Sequence, residues 1–488
     1  MIRIERSPAL LTAVVFLALL FALAAKSVAD ADLWGNIRFG QLVLASRSPF
    51  VPDPYSFTSD RAWENHEWLG EVLMAATYEL GGVPGLLLLS CGAACLILLV
   101  TAYTLLRSGV GEPVTAGLLA VMFLGLGGQL SVIRPQLFSA VLFVILLVIL
   151  RSAERNRPLR LFWVAPLFAA WANLHGGWIV GLGVLGLWAV LAAARSRIPL
   201  WWGGFAPLLA VVGSALNPYG WRLWVFLWQT VGLGRADIED WQPIFARPPR
   251  LVAWCLTAAV VGIAWRRRTA ESVHLFVPAA ILGLLALKVV RLDVSFAVAA
   301  VIMLGPLLAG LGSERFRLSR RPSRSDLAVV GLLMAVGLSV ASFFAYRTAS
   351  CLPIEGEREV MPEPEAVLFV QRNHLGGKIV PWYNYAHYAI WHLAPALKFS
   401  YDGRRETVYS EKIREAHLRF YRGEAPTYPR ELGADYVWLP KGLPAVASLP
   451  DEGWVPVFQG SRSVILARQP GAYESVGRFS GPRCFPGP

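Results

Sequence analysis

Over its first 350 residues the chain alternates on a long wavelength, with apolar stretches recurring about every 30 residues between short polar segments. Many approach the ~20 residues an α-helix needs to cross a bilayer. The pattern predicts eleven spans, over 7–28, 84–106, 113–131, 136–150, 160–172, 177–194, 200–216, 249–265, 273–290, 294–312 and 326–345. The fourth and fifth are short enough to be half-spans beside a cavity, the setting in which irregular backbone is tolerated at membrane depth. The first long polar interruption, residues 30–70, contains two further periodic segments. One runs from Leu33 to Ala45, with Leu33, Trp34, Ile37 and Leu44 near one face. The other runs from His66 to Leu80, with Trp68, Leu69, Val72 and Ala76 along it, and stops at Gly81-Gly82. Helices of this kind can lie in the headgroup plane.

From about Pro353 the pattern changes. Residues 362–470 predict a small α/β domain: PEPEAVLFVQRN is helical, ALKFSYD alternates like a strand, and SEKIREAHLRFY is an amphipathic helix. A short strand, ADYVWLP, and a hairpin of WVPVFQ and SVILAR around Gly460-Ser461 complete it. The tail, 471–488, ending in GPRCFPGP, is expected to be disordered.

Composition agrees with the periodicity. With 55% hydrophobic and 16% charged residues, and a mean hydropathy of +0.50, a soluble globular chain is excluded. The net charge of +12 is not a nucleic-acid signature, because Lys and Arg cluster between the apolar segments. Arg3 and Arg6, Arg107, RSAERNRPLR (151–160), Arg195 and Arg197, Arg266 to Arg268, and RFRLSRRPSR (315–324) all fall on one side if the N-terminus is cytoplasmic. That places about 17 basic residues in short loops on one face, as membrane topology requires. The odd number of spans then puts loop 30–70 and the C-terminal domain together on the outer face. The fold expected is an α-helical polytopic membrane domain over 1–350 with a small extracytoplasmic α/β domain over 351–470.

Five cysteines form no CxxC and no zinc-like Cys/His spacing. Cys91, Cys95 and Cys255 fall in apolar helices as packing residues, whereas Cys351 and Cys484 both lie outside and could pair. The N-terminus has a signal-peptide look, but its apolar run is long and reads as an uncleaved first helix.

Acidic residues crowd the first outer loop: Asp30, Asp32, Asp53, Asp60, Glu64 and Glu67. A long first outer loop with an acidic pair directly after helix one, then two interfacial helices, resembles the GT-C superfamily of membrane glycosyltransferases. The protein O-mannosyltransferase and aminoarabinose-transferase-like group is the nearest likeness, over roughly residues 8–350. The segments Asp32-Leu33-Trp34 and His66-Glu67-Trp68-Leu69 are similar also to bacterial polytopic membrane proteins of no known substrate. The resemblance implies a sugar donor carried on a polyprenyl phosphate, a glycan, lipid or protein acceptor, and residence in a bacterial inner membrane. In that group an acidic residue a few positions before a Gly is the catalytic base, and Asp32, with Gly40 downstream, matches it.

Each candidate residue carries a second, structural reading. Asp32 directly precedes Leu33 and could be a helix N-cap, worth about 0.5–2 kcal/mol. Asp30, with Asp32, could hold a divalent cation such as Mg or Mn through oxygen ligands. His66 and Glu67 could contact substrate beside Trp63 and Trp68, or simply open a helix whose dipole favours acidic residues. Arg134, followed by Pro135 and Gln136, could grip a donor phosphate with its planar fork or pair with a loop-one carboxylate. Arg291 has the same placement, with Asp293 as its simplest partner. Asn173 and His175 in WANLHGGW could line a cavity, with His175 donating to the phosphate. Glu239 and Asp240 read as a solvated acidic pair. In YDGRRETVY, Asp402-Gly403 makes a turn from which Arg404 and Arg405 would project toward acceptor or lipid.

No GxxxxGK[ST], GxSxG or HExxH is present, and no GxGxxG stands between a strand and a helix, so a sugar donor would arrive ready-made on a lipid. Two other classes stay open: a transporter or flippase of lipid-linked glycans, and a non-catalytic envelope-assembly protein. No internal inverted repeat is visible, which weighs against transport.

Overall fold

The structure, a computed structural model, describes residues 10–155, 157–231, 239–311, 351–354 and 361–488. The predicted span at 326–345, the basic run at 315–324, and Arg3 and Arg6 lie outside the described residues. In chain order the first helices are α1 (Leu10–Lys26), α2 (Ala31–Ser46), α3 (Trp68–Arg107), α4 (Glu112–Ser131), α5 (Gln136–Ala153) and α6 (Val164–Leu174). There follow α7 (Trp178–Ala194), α8 (Trp202–Ser214), α9 (Arg222–Val231), α10 (Pro248–Arg266), α11 (Phe276–Lys288) and α12 (Asp293–Ala299). The last continues through a π-helical turn, Ala300–Leu304, and a 3-10 turn, Gly305–Leu308.

Two compact units are built from this chain. One draws on Met1–Ser27, Leu87–Ser131 and Pro135–Arg347 and is helical among its described residues. Each of the first ten predicted spans falls on helix. By length and composition, five stretches among the described residues can cross a membrane: Trp68–Arg107, Glu112–Ser131, Gln136–Ala153, Pro248–Arg266 and Val290–Leu308. Four shorter apolar helices accompany them, Thr12–Ala24, Trp178–Ala194, Trp202–Ser214 and Val273–Lys288. The fourth span is therefore not a half-span, since α5 runs its full 18 residues. The fifth is short, an 11-residue α6 entered through the 3-10 turn Pro158–Trp163. Helix α9 was not foreseen; it stands in a stretch read as outer loop and leaves Trp228 exposed.

The second unit draws on Val28–Leu86, Val132–Arg134 and Thr348–Pro488, so loop 30–70 folds with the tail rather than with the spans that flank it. Its C-terminal elements are β1 (Leu352–Pro353), α13 (Pro364–Arg372), β2 (Gly377–Pro381), α14 (Tyr383–Leu393), β3 (Leu397–Phe399) and α15 (Glu411–Tyr421). Then come α16 (Tyr428–Glu431), β4 (Tyr436–Pro440), α17 (Pro444–Ser448), β5 (Val455–Gln459), β6 (Ser463–Ala467) and β7 (Cys484–Phe485). The main sheet has the order β3-β2-β4-β6-β5, with β3, β2 and β4 parallel and β6 antiparallel to both its neighbours. Parallel neighbours need a crossover, and α14 supplies it between β2 and β3. Strand β6, SVILA, is buried along its whole length, as a continuous apolar run in mid-sheet should be.

Loop one covers the open edge of that sheet. The Phe57 amide donates to the Phe399 carbonyl at 3.1 Å, and the Phe399 amide to the Tyr55 carbonyl at 2.9 Å. An uncovered edge would present unpaired backbone groups, and these bonds remove that liability.

Three expectations change here. First, Leu33, Trp34 and Ile37 of α2 are fully buried within the protein, so this face does not lie in lipid headgroups. The reason is α14: Trp34 meets Tyr388 edge-on at 5.4 Å. Second, the other loop-one helix begins at Trp68 rather than His66 and breaks at Gly82, whose φ of 58° and ψ of −147° only glycine adopts readily. Third, the tail is not disordered at Cys484–Phe485. These residues form β7 against Leu352–Pro353, and Cys351 and Cys484 are joined in a disulfide.

Candidate active site

Helix α2 begins with a division between its two aspartates. Asp30, not Asp32, is the N-cap: its Oδ1 accepts from the Leu33 amide at 3.2 Å. Its other oxygen accepts from Arg134 Nε. Of the two partners open to Arg134, the structure shows the loop-one carboxylate. Asp32 follows in the first turn, where the helix dipole favours its ionised form, and its side chain is 47% exposed.

Behind Asp32 stands His387, on α14, with a side chain 6% exposed. Its Nδ1 lies 3.2 Å from Asp32 Oδ1, and its Nε2 lies 3.8 Å from Asp402 Oδ1. Two glycines clamp the ring. A Cβ at position 35 would stand 2.6 Å from His387 Cγ, and one at position 403 would stand 2.5 Å from Cε1. The ring also meets Phe39 edge-on at 5.3 Å.

Asp402 is fully buried and held from three directions. Arg404 grips it through Nε at 2.9 Å and Nη2 at 2.7 Å, and the Tyr409 hydroxyl donates to it at 2.8 Å. The same guanidinium donates to both oxygens of Asp53, at 2.8 and 3.0 Å. The rings of Trp63, Phe39 and Tyr55 surround it, with centroids 4.8, 5.1 and 5.6 Å from Cζ. Arg404 and Asp402 therefore point inward, contrary to the expectation that the turn presents Arg404 to a ligand. The Asp402-Gly403 turn itself is present, with Asp402 Oδ1 accepting from the Arg404 amide at 2.9 Å.

The electrostatics follow from this packing. Burial would lower the pKa of His387, but its two carboxylate neighbours, Asp32 and Asp402, raise it to about 9. Desolvation would raise that of Asp32; the His387 hydrogen bond and the charges of Arg134, His387 and Arg405 outweigh it and bring the carboxyl down to about 2. Asp402 is buried too, and Arg404 and His387 hold it well below the usual carboxylate range. At neutral pH a protonated His387 thus stands between two ionised carboxylates, Asp32 and Asp402. Because His387 binds its proton more tightly folded than unfolded, its contribution to stability is full below pH ~6.5 and lost as pH rises through about 9. The Asp32 contribution is full above pH ~3.9 and lost as pH falls through about 2. The melting temperature of detergent-solubilised protein should therefore be roughly 5 °C lower at pH 9.5 than at pH 6. A variant without an imidazole at position 387 should lose that difference.

The remaining sequence candidates have their own surroundings. His66 Nε2 is 3.5 Å from Glu67 Oε1, just before Trp68 opens α3. Trp63 stacks over Arg404 instead of standing open to a sugar. Four candidates belong to the helical unit. There His175 Nδ1 meets the Ser139 hydroxyl at 2.6 Å and accepts from the Gly177 amide at 3.0 Å. Asn173 donates to the carbonyls of Ala169 and Leu216, at 2.7 and 2.9 Å. Gln136 opens α5, and Arg291 lies 5.5 Å over the Trp241 ring. Asp293 is bound by Arg250, at 2.6 and 2.7 Å, which reaches across from the first turn of α10. Asp240 is exposed in the 3-10 turn Glu239–Trp241, as a solvated residue should be.

For a divalent cation the fit is poor at Asp30, whose oxygens already serve the Leu33 amide and Arg134. Among the described residues no group of three or more His, Cys, Asp or Glu side chains is placed to hold a metal. Sequence reasoning missed His387 and Tyr409, and had Asp53 only as one of the acidic residues of loop 30–70. The signal for His387 was its place amid aromatic residues in WYNYAHYAIWHL, a helix whose apolar stripe is blurred because Tyr and Trp occur on several faces.

No family model and no curated protein matches the chain. Among solved structures it is similar to the cryo-EM structure of the arabinofuranosyltransferase AftD from mycobacteria, at 14% identity and a TM-score of 0.49. The match covers 96% of this chain and 42% of that one, so this chain spans less than half the length of that protein. A likeness of this depth does not fix the chemistry.

Proposed function

We propose that the protein is a GT-C-like membrane glycosyltransferase that moves a sugar from a polyprenyl-phosphate carrier to a hydroxyl acceptor. One observation carries the reading: a half-exposed carboxylate, Asp32, lies 3.2 Å from a buried His387 in the loop between two apolar helices. In the step, the acceptor hydroxyl oxygen bonds to the anomeric carbon and its proton passes to Asp32. The bond from that carbon to the phosphate oxygen breaks, and polyprenyl phosphate leaves with the electron pair. Asp32 acts as the general base. Arg134 and Arg405, whose charges already act on Asp32, favour the growing negative charge on the phosphate. His175 and Arg291 have partners in the helical unit, and no step needs them.

The disulfide supports an outer-face location. Cys351–Cys484 belongs to the same unit as Asp32, and such bonds persist in oxidising compartments. Liposomes carrying purified protein and a set of polyprenyl-phosphate sugars test the reading. Asp32→Asn should lower transfer by about 100-fold or more while the melting temperature stays within a few degrees. Transfer at the wild-type rate by Asp32→Asn would remove Asp32 as base. Movement of the intact lipid-linked sugar across the bilayer without transfer would make the protein a flippase instead.

A further inference from the structure

The buried half of the cluster has no counterpart in a simple carboxylate base. Asp402 sits behind His387, and Arg404, Tyr409 and, through Arg404, Asp53 fix Asp402 in turn. The contacts of His387 are unequal. Its Nδ1 is 3.2 Å from Asp32, whereas Nε2 stands 3.8 Å from Asp402, beyond hydrogen-bond reach. The one short polar contact of the ring is therefore aimed at Asp32, and Asp402 faces its far side as a charge. Gly35 and Gly403 leave no room for the ring to turn away.

We propose that His387 is a positioning residue for Asp32: its Nδ1–H fixes Asp32 Oδ1, so that Oδ2 is presented to the acceptor hydroxyl. This rests on Asp32 being the base. Groups that face His387 come from several elements: Asp32 on α2, Glu71 on α3, and Asp402 in the turn after β3, with Arg404 behind it. Its proton is held by the two nearest of these, so both ring nitrogens carry hydrogen at neutral pH. The base thus acts with a fixed orientation and a permanent cation beside it, and the acceptor meets an aligned lone pair rather than a rotating carboxylate.

Two substitutions separate positioning from space-filling. His387→Asn places an amide nitrogen near the position of Nδ1, and His387→Gln places one near Nε2. The proposal expects the Asn variant to keep kcat within about 3-fold of wild type. The Gln variant should lose about 30-fold or more in kcat with KM within about 2-fold. Equal loss in both, or the reverse order, overturns it. If neither variant melts like wild type, the unsubstituted protein serves: nitrogen-15 NMR should show Nδ1 of His387 carrying hydrogen throughout about pH 7 to 10, and an Nδ1 without hydrogen in that range overturns the proposal. Inactive Asp32→Asn beside fully active His387 variants would sink the positioning role and leave the transferase standing. Fully active Asp32→Asn would remove Asp32 as the base and the positioning role with it, whereas no transfer by the unsubstituted protein would sink the transferase itself.

Discussion

Replacing Arg404 with Met should destabilise the unit that carries Asp32 by about 3–5 kcal/mol, which lowers its melting temperature by roughly 10 °C. The reason is the company the guanidinium keeps. It donates two hydrogen bonds to Asp402 and two to Asp53, and all three side chains are buried. Removing a cation from two buried carboxylates leaves charges that must be protonated or hydrated where water is scarce. Three aromatic faces lose their cation in the same step. Methionine keeps the apolar length of the stem, so the loss reports charge and hydrogen bonding more than volume. Adding Asp53→Asn should restore part of the stability, because one orphaned charge is gone; double-mutant analysis of thermal melts measures this coupling. A shift of less than about 1 kcal/mol in the single variant would mean that solvent reaches the cluster and that the pair is an ordinary surface contact.

The second large effect belongs to the disulfide. Cys351 and Cys484 are 133 positions apart, and cutting the bond should cost about 2–5 kcal/mol through the entropy regained by the unfolded chain. Its local consequence is more specific. Phe485, fully buried, meets Trp34 at 5.2 Å, Tyr78 at 5.4 Å and Trp391 at 5.9 Å. The Trp34 indole donates to the Pro486 carbonyl at 3.4 Å. Trp34 lies two residues beyond Asp32, so releasing this strand loosens the helix that aims the base. Cys484→Ser, or reductant with thiol labelling to show that the bond is open, should lower melting and transfer together, transfer by about 10-fold or more. It should also change the tryptophan emission. Unaltered emission and unaltered transfer in labelled, reduced protein would show that the strand is not what steadies α2.

How much of this was legible beforehand depends on range. Local periodicity placed the apolar helices of the first ten spans, and the sheet elements ALKFSYD, ADYVWLP and the terminal hairpin fall on β3, β4, β5 and β6. Strand β2 and helix α14 were not read: GKIVP is short, and YNYAHYAIWHL carries no clean stripe. That omission hid His387, because a histidine gains chemical meaning only from what the fold sets beside it. The aspartates of α2 show the same limit. Adjacency to Leu33 suggested Asp32 as cap, yet the helix starts one residue after Asp30, and the cap moved with it. Asp402 and Arg404 were visible as turn chemistry, but their inward aim depends on Asp53, brought in from loop one. The tail was read as disordered because no local pattern announces a disulfide that holds Cys484 and Phe485 against Leu352–Pro353.

Asp32 and His387 lie far apart along the chain, and the turn that backs them up arrives later still during synthesis. A ribosome would have made every residue between Asp32 and His387 before the base had anything to align it, and the strand Cys484–Phe485 is tied down only after Cys484 has met its partner. In the transferase reading, a half-made copy would carry the reactive carboxylate but not its alignment. Maturation of the last segment would then act as the licence to work, and protein caught mid-assembly would leave lipid-linked sugars untouched.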